Sequence, residues 1–216
     1  DAIGLGGIDL YLVAGDRRWI IRDARKLADA AKTTPVVDGS GLKDTLERQT
    51  VRILHDEGRL APEGTAPQDT RVLIVSALDR FGLAETFVSL GYDCVFGDLI
   101  YAVGIPIPLR SLGMVEMAAR TLCPLVCRLP FRVLYPTGSR QETPAGSGSP
   151  HFASADIIAG DFHFIRRNLP ASGEFLTGRT IITNTTTEAD VELLTQLNLH
   201  RLITTTPRIG GRSFGT

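Results

Sequence analysis

The chain has 216 residues, of which 43% are hydrophobic and 22% charged, with a formal net charge of −1. That length buries roughly 70% of the unfolded surface without a disulfide or metal staple. The even charge balance, with no basic run, argues against nucleic acid as the main partner. Residues 2–5 predict a short buried strand, and "LYLVAGDRRWII" alternates apolar and polar around Gly15-Asp16, the pattern of a small β-hairpin. "DARKLADAAK" has helical spacing with Asp23 placed as N-cap. "TPVVDGSG" reads as strand and turn. "LKDTLERQTVRILHDEG" reads as one long amphipathic helix, with Leu42, Leu46, Ile53 and Leu54 on one side and Gly58 as its stop.

"LAPEGTAPQDT" is a connector rich in Pro and Gly. It separates an N-terminal α/β segment, residues 1–60, from a larger α/β unit, residues 71–216. In the larger unit "RVLIVSAL" has the continuous apolar character of a strand buried on both faces. A helix at "DRFGLAETFVSLGY", a strand at "DCVFGD", a helix at "LGMVEMAARTLCPLV" and a strand at "FRVLYPTG" follow. Residues 138–150 read as a flexible loop. "SADIIAGDFHFIRRNLP" predicts strand and helix, and the chain ends in strand, helix, strand. This alternation predicts an α/β fold, Rossmann-like, with a mostly parallel sheet and helices on both faces. The three cysteines, Cys94, Cys123 and Cys127, read as core thiols of a reducing, cytoplasmic setting. No run is long and apolar enough for a membrane span. The absence of an initiator Met and the stop at "GRSFGT" read as an internal piece of a longer protein, or as ends that are not numbered or ordered.

In open α/β sheets ligands bind at the carboxyl ends of the strands. The loops there carry Gly, Ser and Thr beside helix starts, which suits a small anionic ligand. "TTTPRIGGRSFGT" is the densest of them. Thr205, Thr206, Gly210, Gly211 and Arg212 are candidates for cofactor phosphate, and Ser40, Thr185 and Arg208 for substrate. Ser40 alternatively caps its helix, and Thr185 to Thr187 alternatively cap theirs. Lys43 and Asp44, at a helix start, are candidate acid–base groups, as are Asp161 and His163 in "GDFHFI". "GLGGID" has Asp9 where a dinucleotide fingerprint needs its third glycine, and a hairpin where it needs a helix. No metal site can be assembled.

The segments "DAIGLGGIDLYLVAG", "TPVVDGSGLKDTLER", "ADIIAGDFHFIRRNLP" and "LITTTPRIGGRSFGT" resemble a bacterial family labelled quinate 5-dehydrogenase. The resemblance covers nearly the whole chain. It implies an NAD- or NADP-dependent oxidation of a ring alcohol of quinate or shikimate type. Where well-understood members of that activity carry N-V-T-x-P-x-K and G-A-G-G, this chain has "NTTTEAD" and "GLGGID". Lys43 and Asp44 match the catalytic residue types, but adjacent in sequence rather than far apart. The alternative reading is a non-catalytic module that binds an anionic metabolite or nucleotide. The expected partner is a small anionic molecule, with neither nucleic acid nor membrane, and a homo-oligomer is left open.

Overall fold

The computed structural model describes residues 1–5, 8–130, 150–169 and 176–213. The N-terminal part contains β1 (Ile3–Gly4), a hairpin of β2 (Tyr11–Ala14) and β3 (Arg17–Ile20), α1 (Arg22–Ala30) and β4 (Val36–Val37). The hairpin turns at Gly15, whose φ is 56°. β1 pairs in parallel with β4. It is exposed rather than buried, because two residues beside one short neighbour leave both its faces open. Asp23 lies inside the first turn of α1 and not at its cap; Ile21 is the N-cap residue.

The next helical run starts at Gly39 as N-cap, with Ser40 as its first residue. α2 (Ser40–Leu42) passes through a π-helical turn, Lys43–Glu47, into α3 (Arg48–Asp56). The π turn inserts a phase shift, so the apolar stripe expected from Leu42 and Ile53 does not form. Those two are exposed, and the buried side is Glu47, Val51 and Leu54.

The remaining elements are β5 (Arg71–Ile74), α4 (Phe81–Ser89), β6 (Asp93–Phe96), α5 (Leu112–Val126), α6 (Pro150–Ser154), β7 (Ile157–Ala159), α7 (Phe162–Arg167), β8 (Thr180–Thr183), α8 (Glu188–Gln196), β9 (Arg201–Thr204) and a hairpin of β10 (Arg208–Ile209) with β11 (Arg212–Ser213). The strand expected at 131–138 and the loop expected at 138–150 lie outside the described residues, apart from Pro150, which opens α6.

Five strands form one parallel sheet in the order β6-β5-β7-β8-β9. Alternate side chains on β5 serve two cores. Val72 and Ile74 pack with Leu83 and Phe87 of α4, Val51 of α3 and Ala119 of α5. Leu73 and Val75 pack with Phe152 of α6, Phe162 and Ile165 of α7 and Leu194 of α8. Helices therefore cover both faces, and the fold is α/β. Cys94, Cys123 and Cys127 are free and buried. Among the described residues no helix is long and apolar enough to cross a membrane.

The chain leaves β5 toward β6 on one side and returns to β7 on the other. The carboxyl ends of β5 and β7 thus flank the point where strand order reverses, and in open parallel sheets a crevice opens there.

Candidate functional site

The turn after β5, "SALDRF", puts Asp79 and Arg80 at that crevice. The π turn brings Lys43 and Glu47 against them from another element, and Asp9 arrives from the loop before β2. Lys43 Nζ donates to Asp79 Oδ1 at 2.7 Å and to Asp9 Oδ1 at 2.8 Å. The Arg80 guanidinium, 3% exposed, pairs with Glu47, with Asp79 at 3.3 Å and with Asp161 at 3.2 Å. Asp161 follows β7 and also accepts from the backbone N–H of His163, capping α7. Two cations and four carboxylates thus share one largely buried cluster.

Charge is finely balanced in it. Burial works against the Lys43 ammonium, but Asp79 and Asp9 outweigh it and hold its pKa above the ordinary lysine value. Burial pushes the Asp79 carboxyl up to about 7 against the pull of Lys43, with Asp9 and Asp161 adding to the rise. Burial also lowers the pKa of Arg80, opposed by Asp161 and Asp9. Asp79 is therefore a carboxyl that exchanges its proton near neutral pH while hydrogen-bonded to an ammonium, the pairing used in general acid–base catalysis.

Asp9, Lys43, Asp79 and Arg80 of this cluster line a cavity of about 640 Å³. Its walls include Tyr11, Arg18 and Ser40. Ser40 Oγ donates to Asp38 at 2.6 Å. Burial raises the Asp38 pKa, but the bonds from Ser40 and the Leu10 N–H, with Lys43 nearby, bring it below the usual carboxylate value. Four cations line the cavity. Lys43, Arg48 and Arg80 are all paired with carboxylates. Arg18 makes no ion pair among the described residues; its guanidinium lies 6.0 Å from the Tyr11 ring centre. It is the cation left for a ligand's anionic group.

Asp44 lines the same cavity but turns to Arg48, at 2.8 Å, on the exposed side. The carboxylates on Lys43 are Asp79 and Asp9. His163 is exposed on α7 and lines neither this cavity nor the apolar one beside it.

The threonine- and glycine-rich segment stands at the other end of the sheet, after β8 and β9. Gly210 and Gly211, at φ 59° and 78°, make the two-residue turn between β10 and β11, as such a hairpin demands. A side chain at Gly211 would also collide with Glu188. Arg208 and Arg212 are exposed, and Arg208 donates to the Gly211 carbonyl at 3.3 Å. Thr187 caps α8 in a reciprocal box with Asp190, and Thr186 bonds Ser213. Thr185 has a φ of 53°, a strained conformation for a β-branched residue. Thr205 and Thr206 are buried, and Thr205 Oγ1 makes no hydrogen bond among the described residues. None of Thr185, Thr205, Thr206, Arg208, Gly210, Gly211 and Arg212 lines the cavity that holds Lys43.

A dinucleotide at the turn after β5 needs free backbone N–H donors and room for phosphate. Here the N–H groups of Ala77 and Leu78 donate to the Asp98 carboxylate, at 3.1 and 2.9 Å. Burial raises the Asp98 pKa to about 6, opposed by those bonds. Asp98 sits just past β6, where a ribose-binding carboxylate would stand, but it is 4% exposed and taken up by the turn. With Asp9, Asp79 and Asp161 around it, the turn does not fit a pyrophosphate.

The sequence reading missed Asp9, Glu47, Asp79 and Arg80 as site residues, and met Asp161 only beside His163 in "GDFHFI". The available signal was an Asp-Arg pair in the turn after the apolar run "RVLIV".

No curated protein and no solved structure matches the chain. A family model described as domain of unknown function DUF8753 matches residues 1–38. A second, domain of unknown function DUF8754, matches residues 41–216. The cavity draws Asp9, Tyr11 and Arg18 from the first span and Lys43, Asp79 and Arg80 from the second. By the match over most of its length, the chain belongs to the DUF8754 family.

Proposed function

We propose that the crevice is an acid–base site for a small hydroxylated acid, of the quinate or shikimate kind. The observation that carries the reading is Lys43, held by Asp79 and Asp9 at the floor of the cavity. In this reading Arg18 meets the substrate carboxylate. The Lys43 ammonium donates a hydrogen bond to the hydroxyl or carbonyl oxygen at the reacting carbon. Asp79 takes or returns the proton through Lys43, and Arg80, fixed by Glu47 and Asp161, holds Asp79 in place. The resemblance to quinate dehydrogenases asks for a lysine and an aspartate distant in sequence, and Lys43 with Asp79 is such a pair.

The strand order supports a doubly wound, Rossmann-like fold with its ligand at the switch point. The buried free thiols support a reducing, cytoplasmic setting. Oxidation of an alcohol also needs a hydride acceptor, NAD or NADP in the resemblance. Because the turn after β5 does not fit a dinucleotide, no hydride step is assigned to these residues. The same feature favours the second reading, a module that binds an anionic metabolite without turnover.

The test is calorimetric titration of quinate and shikimate, with a turnover assay in the presence of NAD or NADP. The catalytic reading expects binding and turnover in the wild type, and turnover lost by about 10²–10⁴-fold in Lys43→Met, with the fold retained. Binding without turnover under any cofactor would leave the module. Turnover that survives Lys43→Met would overturn the acid–base assignment.

A further inference from the structure

A second cavity, of about 330 Å³, opens behind the β2–β3 hairpin. Strand β2 is the partition: Tyr11 and Val13 line the polar cavity, and Leu12 between them lines the second, by the alternation of a strand. The walls of the second cavity are apolar and partly aromatic, with Leu99, Tyr101, Leu122 and Phe164 among them. The Tyr101 ring is set there by its neighbours. It lies against Gly97, where any Cβ would collide with it, and it meets Phe152 edge-on, with ring centres 5.6 Å apart.

Charge narrows the class of occupant. Arg167, at the end of α7, lines this cavity and has no ion pair or hydrogen bond among the described residues. Its neighbour Arg166, by contrast, bonds Asp190 at 2.8 Å. The two carboxylates at the cavity wall are already engaged, Asp98 by the N–H groups of Ala77 and Leu78 and Asp79 by Lys43. A single uncommitted cation beside apolar and aromatic walls selects a flat ring that carries one negative charge. Leu78 and Asp79 line both cavities, so such a ligand lies against the reverse side of the acid–base pair.

We propose that this cavity is a second ligand site, for an aromatic carboxylate whose ring packs on Tyr101 and Phe164 and whose anion meets Arg167. It is separate from the hydroxy-acid site and does not depend on turnover.

The probe is 2-naphthoate, titrated calorimetrically into the whole chain, with 2-naphthylmethanol and octanoate as comparators. Saturable binding of 2-naphthoate is expected, tighter than either comparator. Arg167→Gln should weaken it by about tenfold or more, the loss of a charge-assisted bond. Ala118→Phe, which fills the cavity from α5, should abolish it, and Leu122→Trp serves as a second filling variant if the first melts early by circular dichroism. Arg18→Gln, which changes the polar cavity alone, should leave it in place, which separates this site from the hydroxy-acid reading. The proposal is overturned by absence of binding, by binding that persists in a folded cavity-filling variant, or by loss of binding in Arg18→Gln, which would put the probe in the polar cavity. Equal affinity for 2-naphthylmethanol or preference for octanoate would overturn the anionic or the aromatic part.

Discussion

The two carboxyl-edge regions of the parallel sheet make opposite use of polar residues. At the β8–β9 end, threonines and glycines are dense, yet several answer to local backbone needs: a hairpin turn at Gly210-Gly211, a capping box at Thr187 and Asp190, a Thr186–Ser213 bond. At the β5–β7 end the polar groups are buried charges from four separate segments, with Asp9, Lys43, Glu47, Arg80 and Asp161 converging on Asp79 or on each other. Residues that satisfy their own backbone are cheap to keep. Charges removed from water are costly unless paired, and a cluster of them facing a cavity marks the site more sharply than a run of glycine and threonine.

The comparison can be broken most forcefully at Arg80. Arg80→Met removes the cation that Glu47, Asp79 and Asp161 share, with Lys43 still on Asp79, and should cost about 3–5 kcal/mol in chemical denaturation. A loss below about 1 kcal/mol would mean that water reaches the cluster and that its charges are not held as described.

The pH dependence of stability gives a second handle. The folded Asp79 carboxyl titrates near 7 and the unfolded one near 3.8. Between those values the folded state binds more protons, so its stability falls as pH rises through the window and levels off above it. Asp98, raised to about 6, acts in the same direction over a narrower range. The difference in unfolding free energy between wild type and Asp79→Asn should therefore shift toward wild type as pH falls from about 7 to 4. A difference that is flat with pH would contradict the burial of Asp79.

Two smaller effects belong to the other end of the sheet. Thr187→Ala should cost about 1 kcal/mol through loss of the α8 cap and leave ligand titrations unchanged. Arg212→Ala should change stability by less than about 0.5 kcal/mol, since Arg212 is exposed and its guanidinium pairs with no carboxylate among the described residues. A large loss of ligand affinity in either variant would move the site back to the threonine- and glycine-rich segment.

Much of the fold was legible because periodicity and turn residues report it directly. The hairpin at Gly15-Asp16, the strand Arg71–Ile74 and the helix Leu112–Val126 stand where their patterns predict. The helix from Ser40 was legible in extent but not in phase. Its π turn follows from a tertiary need, since Glu47 must reach Arg80, and periodicity holds no trace of that. Of the site, Lys43 was legible from its place at a helix start, and its partner was not. Asp44 is adjacent in sequence but, on an exposed helix face, turns to Arg48. Asp79 reaches Lys43 only because α4, which follows the β5 turn, packs against the π turn. Asp9 illustrates the limit well. The residue that spoils a glycine fingerprint in "GLGGID" is itself a carboxylate of the cluster.

The central claim is one of place: the ligand lies at the β5–β7 crevice, over Lys43 and Asp79. Backbone amide NMR of the chain, titrated with shikimate and with quinate, tests it without requiring turnover. The account predicts that the shifted amides fall in residues 9–18, 40–48 and 78–85, and that Asp79→Asn weakens the response. Shifts confined to 185–187 and 205–213, or no response to either acid, would contradict it.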